Sequence, residues 1–546
     1  MTKIHPAAPG LAREVADGDL DRREFLTRAT ALGVSIPAAY GLLGLAVPAR
    51  AQPAERVQGG TLRMQMSVRA LKDPRTANWS EIGNLLRGPL DYMVQYNNDG
   101  SFSPMLLESW DVNEDGTEYV LNVRPGVTWS NGEPFNAQSV ADTFAYWCES
   151  GAEGNSMASR LSVLVDEETG NLAEGTVEVV DDLTVRLHLP RPDITIIPSM
   201  ADYPAAVPHL PFDPSDPSAI VGTGAFTISE IEVGVRAVFE RRQNWWGTEV
   251  YGGPYLDRIE FIDYGTDPAS WLAAAESDEI DILYETTGDF IDVFNTIGWE
   301  QSDVVTSATL TIRFNQLAEV GGMRPYGDVR VRRALMMATN NADVLALGYA
   351  GLGAPAENHH VAPIHPEYAE VENVPFDPEG AMALLEEAGM ADYEHELVSI
   401  DDDWRRNSSD AVAAQLRDAG IAVQRVVVPG NTFWNSWLEY PFSSTNWNHR
   451  PLAVQILNIA YRSGVAWNET GFANEEFDRV LDQSLSVADA GQRREHARRL
   501  EEIMLEEAVT IQPYWRALYR HMRPGIVGAD MHISFEVHPT EIGFAA

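Results

Sequence analysis

LLESWDVNEDGTEYVLNVRPGVTWSNGEPFNAQSVADTFAYW, residues Leu106 to Trp147, is the stretch from which the rest of the chain can be read. Asp115-Gly116 is a turn signal, and beyond it Tyr119, Leu121 and Val123 alternate with Glu118, Asn122 and Arg124 at the strand period of two. Those three apolar side chains therefore share one face. Turns follow at Pro125-Gly126 and Asn131-Gly132, after which Asn136 can cap a helix that places Val140, Phe144 and Trp147 on one side. The stretch is a hairpin, a turn and a helix.

A chain of 546 residues is too long for a single core and implies two or three domains or a discontinuous multi-lobed body. Its apolar content of 45% and 14 tryptophans imply a packed globular protein. The formal charge of −42 argues against nucleic acid and anionic membrane as partners, because either would repel such a surface. Cys148 is the only cysteine, so no intramolecular disulfide can form.

The N-terminus reads as an address separate from the fold. Arg22-Arg23-Glu24-Phe25-Leu26 fits the twin-arginine pattern R-R-x-F-L, Ala29 to Val47 is weakly apolar, and Ala49-Arg50-Ala51 offers an A-x-A site. Cleavage after Ala51 is expected, leaving a formal charge of −43, since residues 1–51 carry six basic and five acidic side chains. Thr30, Ser35, Pro37 and several glycines make Ala29 to Val47 a poor membrane span. With no cysteine near the cleavage site to carry a lipid, a freely soluble periplasmic protein without a membrane anchor is expected.

The run S-W, E-D-G, Y-x-L-x-V-R-x-G-V, W-x-N-G, P-F and the helix start resembles the signature region of the family 5 extracellular solute-binding proteins, the oligopeptide, dipeptide and nickel receptors of ABC importers. Gly59-Gly60-Thr61-Leu62, Val221 to Gly247 ending in N-x-x-W-G, DVRVRRAL from Asp328 and DPEGAMALLEEAG from Asp377 extend the resemblance over nearly the whole chain beyond Ala51. The resemblance implies an α/β fold of the type II periplasmic binding protein kind, with two large lobes joined by a hinge plus an extra small lobe, the cluster C type. On that basis lobe I takes 58–100, 215–308 and 510–546, small lobe II takes 101–214, and lobe III takes 309–509. Chain crossings near Thr309 and Pro513 would form the hinge.

The residues themselves supply the local grammar. Thr176 to Leu189 reads as a hairpin, Leu256 to Asp263 as a strand, Trp271 to Glu279 as a short helix and Thr309 to Asn315 as a strand. Helices capped by Asp328 and Asp377, a helix from Ser409 to Ala419, and two more over Asn474–Leu485 and Gly491–Ala508 alternate with strands in the manner of an α/β lobe. Gly222-Thr223-Gly224 is read as a turn bringing backbone into the sheet, because a strand follows where a phosphate cradle needs a helix.

No G-x-S-x-G, H-E-x-x-H, phosphate-binding loop or C-x-x-C occurs, so an enzyme is not supported and no cofactor or metal is implied. His359, His360 and His365 are read as a loop and Asp401-Asp402-Asp403 as a solvated charge run. The informative segment is Ser443 to Trp467. Peptide receptors of the family have a motif like W-x-x-D-Y there, whose aspartate pairs with the peptide α-ammonium. Setting Trp447 on that tryptophan puts Arg450 in the aspartate's place, which reverses the charge and suits a carboxylate or phosphate. Trp404, Trp434, Trp437, Trp447 and Trp467, interleaved with Asn446, Asn448 and His449, have the composition of an amphipathic pocket wall. Ser67 and Arg69 lie where the resemblance places the entry to the interlobe cleft.

The function expected is a monomeric periplasmic receptor of an ABC importer that captures a short peptide or related small solute by hinge closure and delivers it to permease subunits in the inner membrane. A secreted acidic hydrolase and a ligand-sensing chemoreceptor partner are the alternatives. Arg450→Asp is expected to abolish binding of an anionic ligand with little loss of thermal stability.

Overall fold

The computed structural model describes residues 4–18, 20–46, 56–487 and 490–546. The Ala49-Arg50-Ala51 cleavage motif lies outside the described residues.

The opening stretch forms the unit its pattern dictates. Strands Leu107–Val112 and Glu118–Val123 pair antiparallel, and Thr184–His188 and Val177–Asp181 extend them to a four-stranded sheet. Tyr119, Leu121 and Val123 point inward. The Asn136 side chain accepts the amides of Gln138 and Ser139, which starts the helix Ala137–Trp147. Its Val140, Phe144 and Trp147 are fully buried against that sheet's inner face. Burial also pushes the Cys148 thiol up to about 12, so it behaves as a small core residue.

Twelve of the remaining strands join in one mixed sheet, while Arg56–Val57, Gly543–Ala545 and Ile526–Val527 form a three-stranded sheet and Val94–Tyr96 and Phe102–Pro104 a two-stranded one. The order of the large sheet runs Val423–Val428, His395–Ile400, Phe442–Trp447, Glu300–Phe314, Tyr514–Met522, Ile282–Leu283, Thr61–Gln65, Arg258–Ile262, Arg236–Arg241 and Phe226–Glu232. The centre is the antiparallel ribbon of Glu300–Phe314 and Tyr514–Met522, in register from Glu300 opposite Met522 to Thr309 opposite Trp515, with a shift between Val305 and Thr309. A core around Leu62, Phe239, Phe261 and Leu518 packs at one end of this sheet. A second, around Leu310, Phe314, Leu335 and Leu416, packs at the other. Between the four-stranded body and the far end lies a further core, in which Tyr203 meets Leu457, Trp467 and Phe477.

Asp328 and Asp377 cap helices Val329–Met337 and Pro378–Glu387, as their spacing predicts. Three boundaries differ from the sequence reading, two because an aspartate cap sets a helix start and one because strand pairing extends beyond the apolar pattern. The helix expected from Trp271 is Pro268–Glu276, capped by Asp267. The helix expected from Ser409 is Asp403–Asp418, capped by Asp402, whose carboxylate accepts the Arg405 amide. Asp402 is accordingly buried and not part of a solvated run. The strand expected from Thr309 begins at Glu300, since residues Glu300 to Val305 pair with Tyr514–Met522 without needing an apolar face. At Gly222 and Gly224 the backbone runs so close to Gly88 and Pro89 that any Cβ would strike a carbonyl oxygen, which is why glycines stand there.

The N-terminal segment also departs from expectation. It forms helices Ala8–Asp17, Arg22–Ala31 and Ile36–Leu42, which bury Phe25, Leu26, Ala29, Ala39 and Tyr40 among themselves. The small face of Arg22–Ala31 then docks on the body: Thr27 Oγ1 donates to Gly100 O (2.7 Å), Thr30 Oγ1 accepts the Phe102 amide (2.9 Å), and Trp110 Nε1 donates to Thr30 O (3.1 Å). Threonine and alanine side chains are short enough to permit that backbone approach. Among the described residues no helix is long and apolar enough to cross a membrane.

Glu501, fully buried on the helix Ala490–Glu506, has its carboxyl pushed up to about 9 by burial. The folded chain therefore holds a proton that the unfolded chain releases, and this group's stabilising contribution declines as pH rises from about 4.5 to about 9. Glu501→Gln should flatten the pH dependence of Tm between pH 5 and 9 and raise Tm at pH 8; an unchanged slope would mean the carboxylate is solvated.

Candidate functional site

Two adjoining cavities share Trp434: the smaller lies where Tyr203, next to the four-stranded body, meets the far end of the large sheet, and the larger between residues 65–81 and 263–287 at one end of that sheet and 400–434 at the other. The smaller, about 30 Å³, is a box of aromatic rings: Trp79, Tyr203, Trp434, Trp437, Trp447 and Trp467, closed by Asn78, Asn446, Asn448 and Arg450. Tyr203 stacks on Trp467 with ring centroids 6.2 Å apart, and Trp447 lies 6.0 Å from Trp467. The larger, about 240 Å³, is lined by Ser67, Arg69, Trp271, Tyr284, Trp404 and Arg405 and by the carboxylates of Glu81, Asp263, Glu285, Asp402 and Asp403.

The tryptophan wall is set by a buried arginine. Arg313, fully buried in the central strand, donates through Nη1 to the carbonyls of Tyr440 (2.7 Å) and Glu469 (2.8 Å) and through Nη2 to the carbonyl of Trp437. Its Nε lies 3.4 Å from the Glu469 carboxylate. Glu469 in turn accepts Trp447 Nε1 and Thr445 Oγ1, both at 2.8 Å. Burial pushes the Glu469 carboxyl up, and Arg313 together with these donors counters only part of that push. Asn446 is fixed by Arg405, whose Nε and Nη2 donate to its Oδ1 at 2.9 and 2.8 Å.

Arg450 lines the smaller cavity but is not free. Its Nε donates to Asp202 Oδ2 (2.8 Å) and its Nη1 to the carbonyls of Asn448 (3.2 Å) and His449 (3.1 Å). Arg160 donates to the same Asp202 oxygen through Nε (2.9 Å), so two guanidinium groups share one carboxylate. Burial alone would push the Asp202 carboxyl up; Arg450 and Arg160 overrule it and hold it below the usual carboxylate range. These contacts revise the expectation for Arg450→Asp, which would face two buried carboxylates across a single remaining guanidinium and lose stability as well as binding.

Of the residues singled out in the sequence, Trp434, Trp437, Asn446, Trp447, Asn448, Arg450 and Trp467 line the smaller cavity, and Ser67, Arg69, Trp404 and again Trp434 the larger. His449 does not line either. It sits behind the wall, with Nδ1 2.7 Å from Ser307 Oγ and Nε2 3.3 Å from Tyr96 OH, and burial holds its ring neutral. His359, His360 and His365 are loop residues as expected, but they are buried, and burial lowers all three. Sequence reasoning missed Trp79, Tyr203, Asp202 and Arg160; they come from segments far from Ser443–Trp467 in the chain, and nothing in their local pattern marks them.

Among the described residues one group could be pictured around a metal ion: His532, Glu536 and His538. Its donors are spent. Glu536 pairs with Arg87 (2.9 Å) and His538 (2.8 Å), while His532 Nε2 meets Tyr96 O (3.1 Å) and its Nδ1 accepts the Ser534 amide (3.2 Å). The Arg87 guanidinium already supplies the counter-charge of Glu536.

Three comparisons bear on the whole. The model for "bacterial extracellular solute-binding proteins, family 5 Middle" matches residues 101–467. The nickel-binding periplasmic protein of Escherichia coli (strain K12) is 29% identical over 303 residues, 54% of this chain and 55% of that relative's length, so the match spans about half of it. Haemophilus influenzae OppA in complex with the peptide RPPGFSPFR superposes with a TM-score of 0.81 at 18% identity, covering 90% of this chain and 100% of that one. The binding protein AgaA of A. tumefaciens R10, in complex with agropinic acid, gives 0.78 at 19% identity, covering 89% and 99%. The fold is therefore the type II-like α/β fold of periplasmic binding proteins.

Because Glu469 is the counter-charge of a fully buried arginine, Glu469→Ala should cost about 3–5 kcal/mol. It should also release Trp447, read as a lower Tm together with red-shifted tryptophan emission. A Tm within a degree of the parent would show that Arg313 is held by the three carbonyls alone.

Proposed function

This chain belongs to the bacterial extracellular solute-binding proteins of family 5, a family of binding proteins and not of enzymes, and on that premise we propose that it is the periplasmic receptor of an ABC importer. In this reading it captures a short peptide-like or related solute between its two ends and presents the closed form to a membrane permease. The observation that carries the proposal is the pair of adjoining cavities at the seam, walled by tryptophans and closed at one end by Arg450. Flat rings with a few placed polar groups are what a small organic solute needs for stacking and orientation.

Closure follows from the same layout. The four-stranded body reaches the far end of the large sheet through Tyr203 and Asp202, which contact Trp467 and Arg450. The chain passes between the ends in Glu300–Phe314 and returns in Tyr514–Met522, and the register shift between Val305 and Thr309 supplies a place to bend. A ligand touching both sides exists only in the closed form, so it shifts the population toward that form, which the permease reads. The lobes are 58–100 with 215–308 and 510–546, then 101–214, and 309–509. The ligand carries an anionic group at Arg450, in keeping with the acid held by AgaA. Residues 1–51 direct the chain along the twin-arginine route and are removed, leaving a monomer without an anchor.

Protein purified from its own periplasm should release a small organic solute on denaturation, identified by mass spectrometry, in amounts approaching one per chain. Arg450→Gln should lower its retention at least about tenfold. Recovery of product from an added substrate, or equal retention by Arg450→Gln, would defeat the proposal. Replacing both Arg22 and Arg23 by lysine should leave the chain in the cytoplasm, as fractionation would show; normal export would remove the twin-arginine assignment.

A further inference from the structure

The cleft is electrically polarised, and three buried residues set its polarity. Asp202 carries one negative charge and touches two guanidinium groups, Arg160 and Arg450, whose side chains are each 3% exposed. Arg160 lies over the Trp467 ring (4.7 Å) and Arg450 over the Tyr203 ring (5.3 Å), so both are fixed by aromatic faces as well as by the ion pair. One carboxylate cannot neutralise two guanidinium groups at low dielectric, and the surplus positive charge remains in the cluster. Of the two arginines only Arg450 lines the cavity, so the surplus is presented to the ligand there.

The other end has the opposite sign. Its lining holds five carboxylates, of which Glu81 pairs with Arg69, Asp402 with Arg405 and Glu285 with Arg516, so the excess negative charge rests on Asp263 and Asp403. Asp263 and Asp403 have no cationic side chain within ion-pair distance among the described residues; their oxygens hold the amides of Val68 and Gly265 and, for Asp403, Thr287 Oγ1 and the Trp404 amide. A second anion would be repelled from that end, while an ammonium would be attracted. The enclosed space, about 240 Å³ beside about 30 Å³, lies below the roughly 300–1,000 Å³ usual for drug-sized ligands and fits a solute of dipeptide scale.

We propose that Arg160 and Asp202 together set the charge that Arg450 shows to the cleft, selecting a short zwitterion of dipeptide size, seated with its carboxylate at Arg450 and its ammonium toward Asp403 and Asp263. This rests on the receptor reading above. Arg160 is a positioning residue: by taking part of Asp202 it keeps Asp202 from fully cancelling Arg450. Without Arg160 the remaining pair is neutral, and the preference for a carboxylate disappears. Since Arg160 and Asp202 belong to one side of the seam and Arg450 to the other, the ligand carboxylate also supplies the missing counter-charge that closure needs.

The test uses full-length protein stripped of bound solute by unfolding and refolding, and three dipeptide libraries: free, C-terminally amidated and N-acetylated. Retention is read by equilibrium dialysis with mass spectrometry. The free library should supply bound members, amidation should weaken them at least about tenfold, and acetylation should weaken them as well. Arg160→Met should bring the ratio of free to amidated affinity toward one, Arg160→Lys should restore it, and Asp202→Asn should raise it. Equal retention of the amidated library overturns the proposal, as does an Arg160→Met variant that loses thermal stability but keeps the ratio. Failure of all three libraries also overturns it, while the solute released from the native protein then decides the receptor reading separately. Should Arg160→Met not fold, the parent ratio and Asp202→Asn still decide.

Discussion

One buried carboxylate, Asp202, ties the two sides of the cleft together. It stands on the four-stranded body and is gripped by Arg160 from its own side and by Arg450 from the other. Removing an ion from water is costly, so such a cluster persists only when geometry and added hydrogen bonds offset the loss, and here the rings of Trp467 and Tyr203 complete the enclosure. Open the seam and each of these charges meets water; close it and they are left with a surplus that invites an anion. In the proposed receptor the interaction is therefore both a cost of closure and a reason for a ligand to accompany it.

Around that cluster the structure supplies rigidity on one side and freedom on the other. Arg313 gathers the carbonyls of Trp437, Tyr440 and Glu469, and Glu469 orients Trp447, so the aromatic wall is preorganised and its rings lose little freedom on binding. The ribbon of Glu300–Phe314 with Tyr514–Met522 carries the only sheet continuity between the two large cores among the described residues, and its pairing is interrupted between Val305 and Thr309. In the proposed receptor, stiff walls on such a connection would change shape by rotation of packed units and not by repacking of their cores.

Much of this was legible in the sequence, because local patterns obey local rules. The Asp115-Gly116 turn, the alternation through Val123 and the cap at Asn136 specify their elements without help from distant residues. The tryptophans and asparagines of Ser443–Trp467 were legible as a wall by composition, and five of the residues named there do line the cavity. Helix starts at Asp267 and Asp402 were read late, since an aspartate cap is silent in a search for apolar periodicity. Asp202, Arg160 and Tyr203 were invisible for a different reason: their role exists only once two chain segments far apart in sequence meet. His449 was misplaced because it lies just past the end of the strand Phe442–Trp447, where its ring turns back to Ser307 and Tyr96 instead of continuing the wall.

The central claim is that a solute draws two sides of one sheet-linked body together over a charged aromatic cleft. Small-angle X-ray scattering of the same preparation, stripped and then reloaded with the solute it releases, tests this most directly. A smaller radius of gyration in the loaded form is predicted, with the difference abolished in Arg450→Gln. Identical scattering curves for the stripped and loaded protein would contradict it.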